Sequence, residues 1–394
     1  MSLHETFILS ARRTPIGAFL GSLSSLTAPE LGAQAIQAAV ASAGIEGDQV
    51  HEVFVGNVLS AGVGQAPARQ AALKGGLPTS VGATTVNKVC GSGLQALILA
   101  RQTLQVGAAE IVVAAGMESM SQTPHYLNNH RGGVSLGNSP LVDGIIHDGL
   151  WDPYNNFHMG AAGELCAAKY SLSREAQDNF ARESYRRARA AQESGLFQSE
   201  LIPLTLTHRR KPSWVVDQDE EPLRGRPEKF ASLRPAFDSK GTITAANASS
   251  LNDGAAALVL ASSAAVKKHD LRPLARIVAT STFAQDPQWF TTAPVGAVHR
   301  VLKEAQINKE AIDLWEINEA FSCVTMACSH LLELDPNRVN LHGGAVALGH
   351  PIGATGARLV TTLLHSLLLQ EKKLGLATLC IGGGEALALI IERC

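Results

Sequence analysis

The chain lacks several features that would have pointed to particular functions. Its 33 Lys and Arg nearly balance 35 Asp and Glu, for a formal net charge of −2, so charge gives no case for nucleic acid or an anionic membrane surface. No apolar run approaches the about 18 residues that mark a bilayer-spanning helix. The N-terminal stretch MSLHETFILSARRT has no basic segment followed by a long apolar one, so no secretory leader is expected. No G-x-G-x-x-G follows a strand-like run, which leaves a nicotinamide cofactor without support. The six cysteines, at 90, 166, 323, 328, 380 and 394, form no C-x-x-C pair, so a structural zinc site is not expected. These absences point to a cytoplasmic globular protein with free thiols, no metal, no nucleic acid and no membrane partner.

At 394 residues, with 45% hydrophobic residues and a mean hydropathy of +0.07, the chain exceeds one small core, and two or three domains are expected. Strand-like and helix-like runs alternate from Phe7 to Ala115. Phe7–Ser10 and Val53–Val58 read as strands, Thr27 with Glu30 as a capping box before a helix, and Pro67–Leu73 as a short helix. Thr84–Val86 leads into Cys90, Leu94 to Leu104 marks a buried helix, and Ile111–Ala115 is a strand closed by Gly116–Ser121. That alternation predicts α/β layers. Residues 122–251 differ: they hold most of the aromatic residues, clusters of charge such as His208-Arg209-Arg210-Lys211, and one amphipathic helix from about Ser173 to Ser194. The basic run reads as a solvated loop. An α/β pattern resumes at Asp253-Gly254. Gly254–Leu260 and Gly383–Leu389 share G-x-x-A-L-x-L, a short repeat consistent with two similar halves, although Gly93–Leu99 fits it too.

Chemistry concentrates in three glycine-rich blocks. Asn340–Arg358 reads NLHGGAVALGHPIGATGAR; five glycines there imply that backbone turns tightly or approaches a ligand while presenting His350. Taken alone, this block fits a structural histidine better than a catalytic one. Asn87-Lys88-Val89-Cys90-Gly91-Ser92-Gly93 places a cysteine on a glycine turn before a helix, and Leu379-Cys380-Ile381-Gly382-Gly383-Gly384-Glu385 places a second against three glycines. A free cysteine has a pKa near ~8.5 and needs help to act as a nucleophile. A helix N-terminus favours the thiolate, and a histidine distant in sequence can take its proton. The other cysteines read as small buried hydrophobes, apart from the terminal Cys394.

With Asn318-Glu319-Ala320-Phe321 and Ser10-Ala11-Arg12-Arg13-Thr14-Pro15, these blocks resemble the thiolase family over essentially the whole chain. The resemblance implies an α/β thiolase fold: two similar αβ halves stacked in five layers (αβαβα) with an inserted loop domain. The N-terminal half would be 1–121 with 252–271, the inserted domain 122–251, and the C-terminal half 272–394. It implies that Cys90 carries an acyl group, His350 activates it and Cys380 moves the α-proton of a second acyl-CoA. Gly382 with Cys90 supplies backbone N–H groups to one oxyanion hole, and His350 with a water on Asn318 supplies the other. Substrate contacts would come from His158, Met159, Ser249, Phe321 and, with thin motif support, Arg224. His158-Met159-Gly160 is similar to the block that closes a small acyl pocket in members making acetoacetyl-CoA, although Ala161–Leu165 departs from the family pattern. The implied reaction joins two acetyl-CoA into acetoacetyl-CoA and CoA, the thioesters being substrates and no metal or redox cofactor being needed. The alternatives are degradative cleavage of longer 3-ketoacyl-CoA, a ketoacyl synthase, which would carry histidine at Asn318 and no Cys380, and a non-catalytic acyl-CoA binder. The family also implies a dimer or a homotetramer, with Leu127–Gly137 as the loop joining dimers.

Overall fold

A computed structural model of the protein describes residues 4–134, 136–208 and 211–394. Arg209 and Arg210 of the basic run, residue 135 of the expected dimer-joining loop and residues 1–3 of the N-terminal stretch lie outside the described residues. The strands that build the main sheet are β1 (Thr6–Arg13), β2 (Glu52–Gly56), β3 (Gly82–Val86), β4 (Ile111–Ser119), β5 (Asn252–Ser262), β6 (Ala275–Ala284), β7 (Leu314–Ile317), β8 (Leu374–Ile381) and β9 (Glu385–Arg393). The helices that cover it are α1 (Ala28–Ala43), α2 (Ser92–Gln105), α3 (Ala293–Ala305), α4 (Ser322–Leu331) and α5 (Thr355–Leu369).

The strands follow the path β7-β8-β9-β6-β1-β5-β4-β2-β3, with the short strand Gly17–Ala18 paired to β5. Read outward from its middle, the path repeats itself. β1-β5-β4 and β6-β9-β8 are antiparallel, and the next strands, β2 and β7, run parallel to their neighbours. β5 and β9 therefore hold equivalent places, and they are the two strands that carry the G-x-x-A-L-x-L repeat. The third occurrence, Gly93–Leu99, lies within α2. The two halves are hydrogen-bonded to each other where Thr6–Ile8 pairs antiparallel with Ala275–Ile277, so one strand path serves both.

Burial explains the layering. One core holds α2 and α5 between the inward faces of the two halves, through Leu94, Leu97, Leu359, Leu363, Leu258 and Leu389. A second packs α1 and the helix Pro67–Lys74 outside the first half, and a third packs α3 and α4 outside the second. With α2 and α5 between the two halves and α1, α3 and α4 outside them, the elements stack in five layers. Glu30 accepts the Thr27 N–H at 2.9 Å, as its spacing predicts. The strand expected to close after Ala115 instead runs on to Ser119, because Gly116–Ser119 continues the antiparallel ladder with Asp253–Ala256.

Between residues 122 and 251 the chain forms short paired strands and two longer helices, Met159–Lys169 and Arg174–Glu193. Ser173 caps the second, its Oγ accepting the Ala176 N–H at 3.1 Å. Leu204–His208 and Lys211–Val216, on either side of Arg209 and Arg210, pair antiparallel. A buried ion cluster ties this segment to β1: Arg13 donates from Nε to Glu200 at 2.6 Å and from Nη1 and Nη2 to Asp219 at 2.7 and 2.9 Å. All three side chains are buried. Removing the guanidinium from two buried carboxylates costs about 3–5 kcal/mol. Arg13→Met should therefore shift the denaturant midpoint strongly downward, and an unchanged midpoint would show that the cluster carries no net stability.

Candidate active site

The Cys90 turn is strained and held on several sides. Val89 sits at φ 46°, a left-handed conformation that β-branched residues avoid. Asn87 Oδ1 accepts the Val89 N–H at 3.0 Å, while Ser92 Oγ accepts the Lys88 N–H at 2.8 Å and donates to the Val89 carbonyl at 2.7 Å. Cys90 is thereby fixed immediately before Gly91, the N-cap of α2. A Cβ on Gly91 would lie 2.4 Å from Ile381 Cδ1, so the turn packs directly onto the end of β8. The backbone N–H groups of Gly382 and of Cys90 itself favour the thiolate form.

His350 follows Gly349, whose φ of 102° and contact with the Asn252 side chain, where a Cβ would come within 2.4 Å, leave room only for glycine. Asn252 Oδ1 accepts the His350 N–H at 3.0 Å. The ring lies between Thr355 Oγ1, 2.6 Å from Nδ1, and Asn318 Nδ2, 3.4 Å from Nε2. Of the two reasons the sequence offers for these glycines, the tight turn is the one seen, at Gly343 and Gly349, and none of the five lines the cavity. The close approach is to protein, since a Cβ on Gly353 would lie 2.6 Å from the Met117 carbonyl and 2.7 Å from Glu118 Oε2. Glu118, which the sequence reading passed over, accepts N–H groups from Val58, Leu59 and Gly353 and the Asn57 amide. It thus pins the His350 stretch to the Cys90 side of the fold. Burial raises its carboxyl to about 7 against the pull of those donors.

Burial also decides the resting protonation of the pair. It pushes the Cys90 thiol up to about 11, against the opposing pull of the Gly382 and Cys90 N–H groups. It pushes the His350 imidazole down to about 3, with nearby Arg358 adding to the effect. The helix end favours a thiolate, as the sequence suggests, but desolvation outweighs it. Both shifts favour a neutral thiol and a neutral imidazole on the wall of one cavity, although Cys90 is only partly buried.

A cavity of about 410 Å³ is lined by Cys90, His350, Gly382, His158, Met159, Ser249 and Phe321, among others. Cys380 and Asn318 do not line it. Cys380 is buried at the end of β8, its thiol pushed well above the ordinary range by burial and then by the nearby Cys90. Asn318 follows β7; its Oδ1 is buried without a protein partner. It is not a helix cap, because α4 starts at Ser322 with Phe321 as N-cap. Cys166, Cys323 and Cys328 are buried in helices and Cys394 is exposed.

On the other wall His158 caps the helix Met159–Lys169. Its Nδ1 accepts the Gly160 N–H at 3.0 Å, which leaves the proton on Nε2 as a donor. Its ring stacks on Phe237 with centroids 4.8 Å apart, and Phe237 meets Phe321 edge-on at 6.0 Å. Gly160 is required there, since its Cβ would come within 2.3 Å of the Phe237 ring. Met159 reaches the nucleophile side: a Cβ on Gly382 would lie 3.3 Å from its sulfur. Ser249 donates from Oγ to the Ala320 carbonyl at 2.9 Å, and Ala248 pairs with Phe321. Arg224 stands apart, at the end of the short helix Glu221–Arg224, 3.7 Å from Glu220 and outside the cavity wall. Phe237, Asn252 and Thr355 carried no pattern by which the sequence could single them out. Each matters only through what the fold brings against it.

This geometry agrees with the comparisons. The family models for the thiolase N-terminal and C-terminal domains match residues 6–264 and 271–393, and the chain belongs to the thiolase family. Within it, the chain is 50% identical to an acetyl-CoA acetyltransferase of Schizosaccharomyces pombe, covering 99% of both chains. It is also 50% identical to a mitochondrial acetyl-CoA acetyltransferase of Bos taurus, over all of this chain and 92% of that one. Acat5 thiolase from Ascaris suum, solved in complex with coenzyme A, superposes with a TM-score of 0.94 at 45% identity, over 99% of this chain and 100% of that one. The Bacillus anthracis acetyl-CoA acetyltransferase superposes at 0.97 with 40% identity over the whole of both chains.

Proposed function

We propose that the protein joins two molecules of acetyl-CoA into acetoacetyl-CoA and CoA, reversibly, through an acetyl group on Cys90. The observation that carries this reading is one cavity lined together by Cys90, His350, Gly382, Met159 and His158. His350 takes the Cys90 proton as the sulfur attacks the thioester. The resulting oxyanion is held by the Cys90 and Gly382 N–H groups, and such preorganised donors are worth several kcal/mol. CoA leaves with a proton from Cys380, leaving its thiolate to remove an α-proton from the second acetyl-CoA. The enolate oxygen is stabilised by His350, now protonated at Nε2, and by a water on Asn318. The carbanion attacks the acetyl-Cys90 carbonyl, and Cys90 departs and regains its proton from His350. Atoms and charge balance without a metal or redox cofactor.

Residues 122–251 form, on this reading, the inserted domain that builds the acyl and CoA pocket. Ser249 lies beside pantetheine, Phe321 beside the acyl end, and Arg224 outside the cavity toward the nucleotide. Assembly as a homotetramer through the loop at 127–137 belongs to the same reading, supported by the exposed Leu127 and Leu136. So does a cytosolic location: no helix among the described residues is long and apolar enough to cross a membrane, although matched relatives include cytosolic and mitochondrial proteins.

The test is chain length. Acetoacetyl-CoA should be cleaved much faster than longer 3-ketoacyl-CoA substrates, because Met159 closes the acyl site against Gly382. Each methylene accommodated or refused is worth about 1–3 kcal/mol. Met159→Ala should raise relative activity on longer chains and cost little on the short one. A wild-type preference for long chains would replace this reading with degradative cleavage.

A further inference from the structure

Thr355, the first residue of α5, is buried beside His350 and plays no part in the reaction as described above. Its hydroxyl oxygen lies 2.6 Å from His350 Nδ1 and 2.9 Å from the Pro351 carbonyl. A hydroxyl has one proton to donate and a carbonyl can only accept. In one arrangement the Pro351 carbonyl, which also accepts the Ala354 and Thr355 N–H groups at 2.9 and 3.0 Å, takes that proton, and the oxygen then accepts from Nδ1–H. On the far side of the ring Asn318 Nδ2, also a donor, faces Nε2 at 3.4 Å. All three contacts run in one direction: Asn318 N–H to Nε2, Nδ1–H to Thr355, Thr355 O–H to Pro351. Reversing the ring tautomer would set donor against donor at Asn318 unless its amide turned to bring Oδ1, which has no protein partner, to the ring.

From this chain we infer that Thr355 is a positioning residue that locks His350 in the Nδ1–H tautomer, keeping Nε2 as the free base. The inference rests on His350 being the base proposed above. The opposite tautomer would place the lone pair against Thr355, away from the substrate. The lock also serves the charged state. When Nε2 takes the thiol proton, Nδ1–H already has an acceptor, so the buried imidazolium forms without an unpaired donor.

The inference is tested by proton-coupled nitrogen NMR of histidine-labelled wild-type protein, with His350→Asn assigning the signal, together with kinetics of Thr355→Val and Thr355→Ser. The resting ring should carry its proton on Nδ1. Thr355→Val keeps the shape and loses the acceptor; kcat should fall about 10²-fold, the scale expected when a reacting group is misplaced, with KM nearly unchanged. Thr355→Ser should recover most of the rate. An Nε2–H tautomer in the wild type would overturn the inference. So would a valine variant with lower melting temperature but undiminished kcat, or serine and valine variants equally impaired. The wild-type spectrum and the serine variant decide the matter even if Thr355→Val does not fold. A wild-type protein that neither acetylates Cys90 nor cleaves acetoacetyl-CoA would count against the proposed function, whereas the tautomer reports on Thr355 alone.

Discussion

Mixed with acetyl-CoA and no acceptor, the protein should gain one acetyl group, placed on Cys90 by peptide mass analysis, and Cys90→Ala should gain none. Condensation and cleavage should fall by about 10⁴-fold or more in that variant, as when a covalent nucleophile is removed elsewhere. A neutral resting pair adds a second readout. With its thiol raised to about 11 by burial, Cys90 of the free enzyme should react with iodoacetamide faster as pH rises, since alkylation needs the thiolate. The rate should keep climbing above pH 8. A plateau near neutrality would mean a preformed thiolate–imidazolium pair. Acetylation of Cys380 with none on Cys90 would reverse the assignment.

The second large effect separates the two cysteines. Cys380→Ala should retain some acetylation on Cys90, because the attack needs only Cys90, His350 and the two backbone donors, while CoA then departs more slowly without the Cys380 proton. Condensation should nevertheless fall by about 10³-fold, within the range general acid–base groups contribute. Cys380 is buried, so the variant also loses a packed sulfur, and its melting temperature must be measured beside its rate. A stable variant that condenses normally would leave Cys380 as a packing residue. Loss of acetylation together with condensation would mean that CoA cannot depart in the first half-reaction without the Cys380 proton.

Much of the site was legible because its signals are local in sequence. A cysteine on a glycine turn before a helix, a histidine after a Gly-rich run and a cysteine ahead of three glycines each mark a place where backbone does something unusual. The strand repeat was legible for a similar reason: β5 and β9 occupy equivalent places and meet the same packing demands. For the glycines of 340–358 the sequence left a tight turn and a ligand approach both open, because a missing Cβ looks the same whether it admits a ligand or another chain segment. Only the contacts of Gly353 with Met117 and Glu118 tell these apart.

The sequence by itself determined which residue types could do the chemistry and the alternation of elements that carries them, since both depend on side-chain identity and short-range spacing. Tertiary structure decided what depends on neighbours far along the chain. Burial pushes the Cys90 thiol up and the His350 imidazole down. Phe237 and Gly160 shape the His158 wall across 77 residues of sequence. Hydrogen-bond direction at Thr355 and Asn318 selects the base on His350. Desolvation and hydrogen-bond direction are properties of an assembled interior, and no linear pattern encodes them.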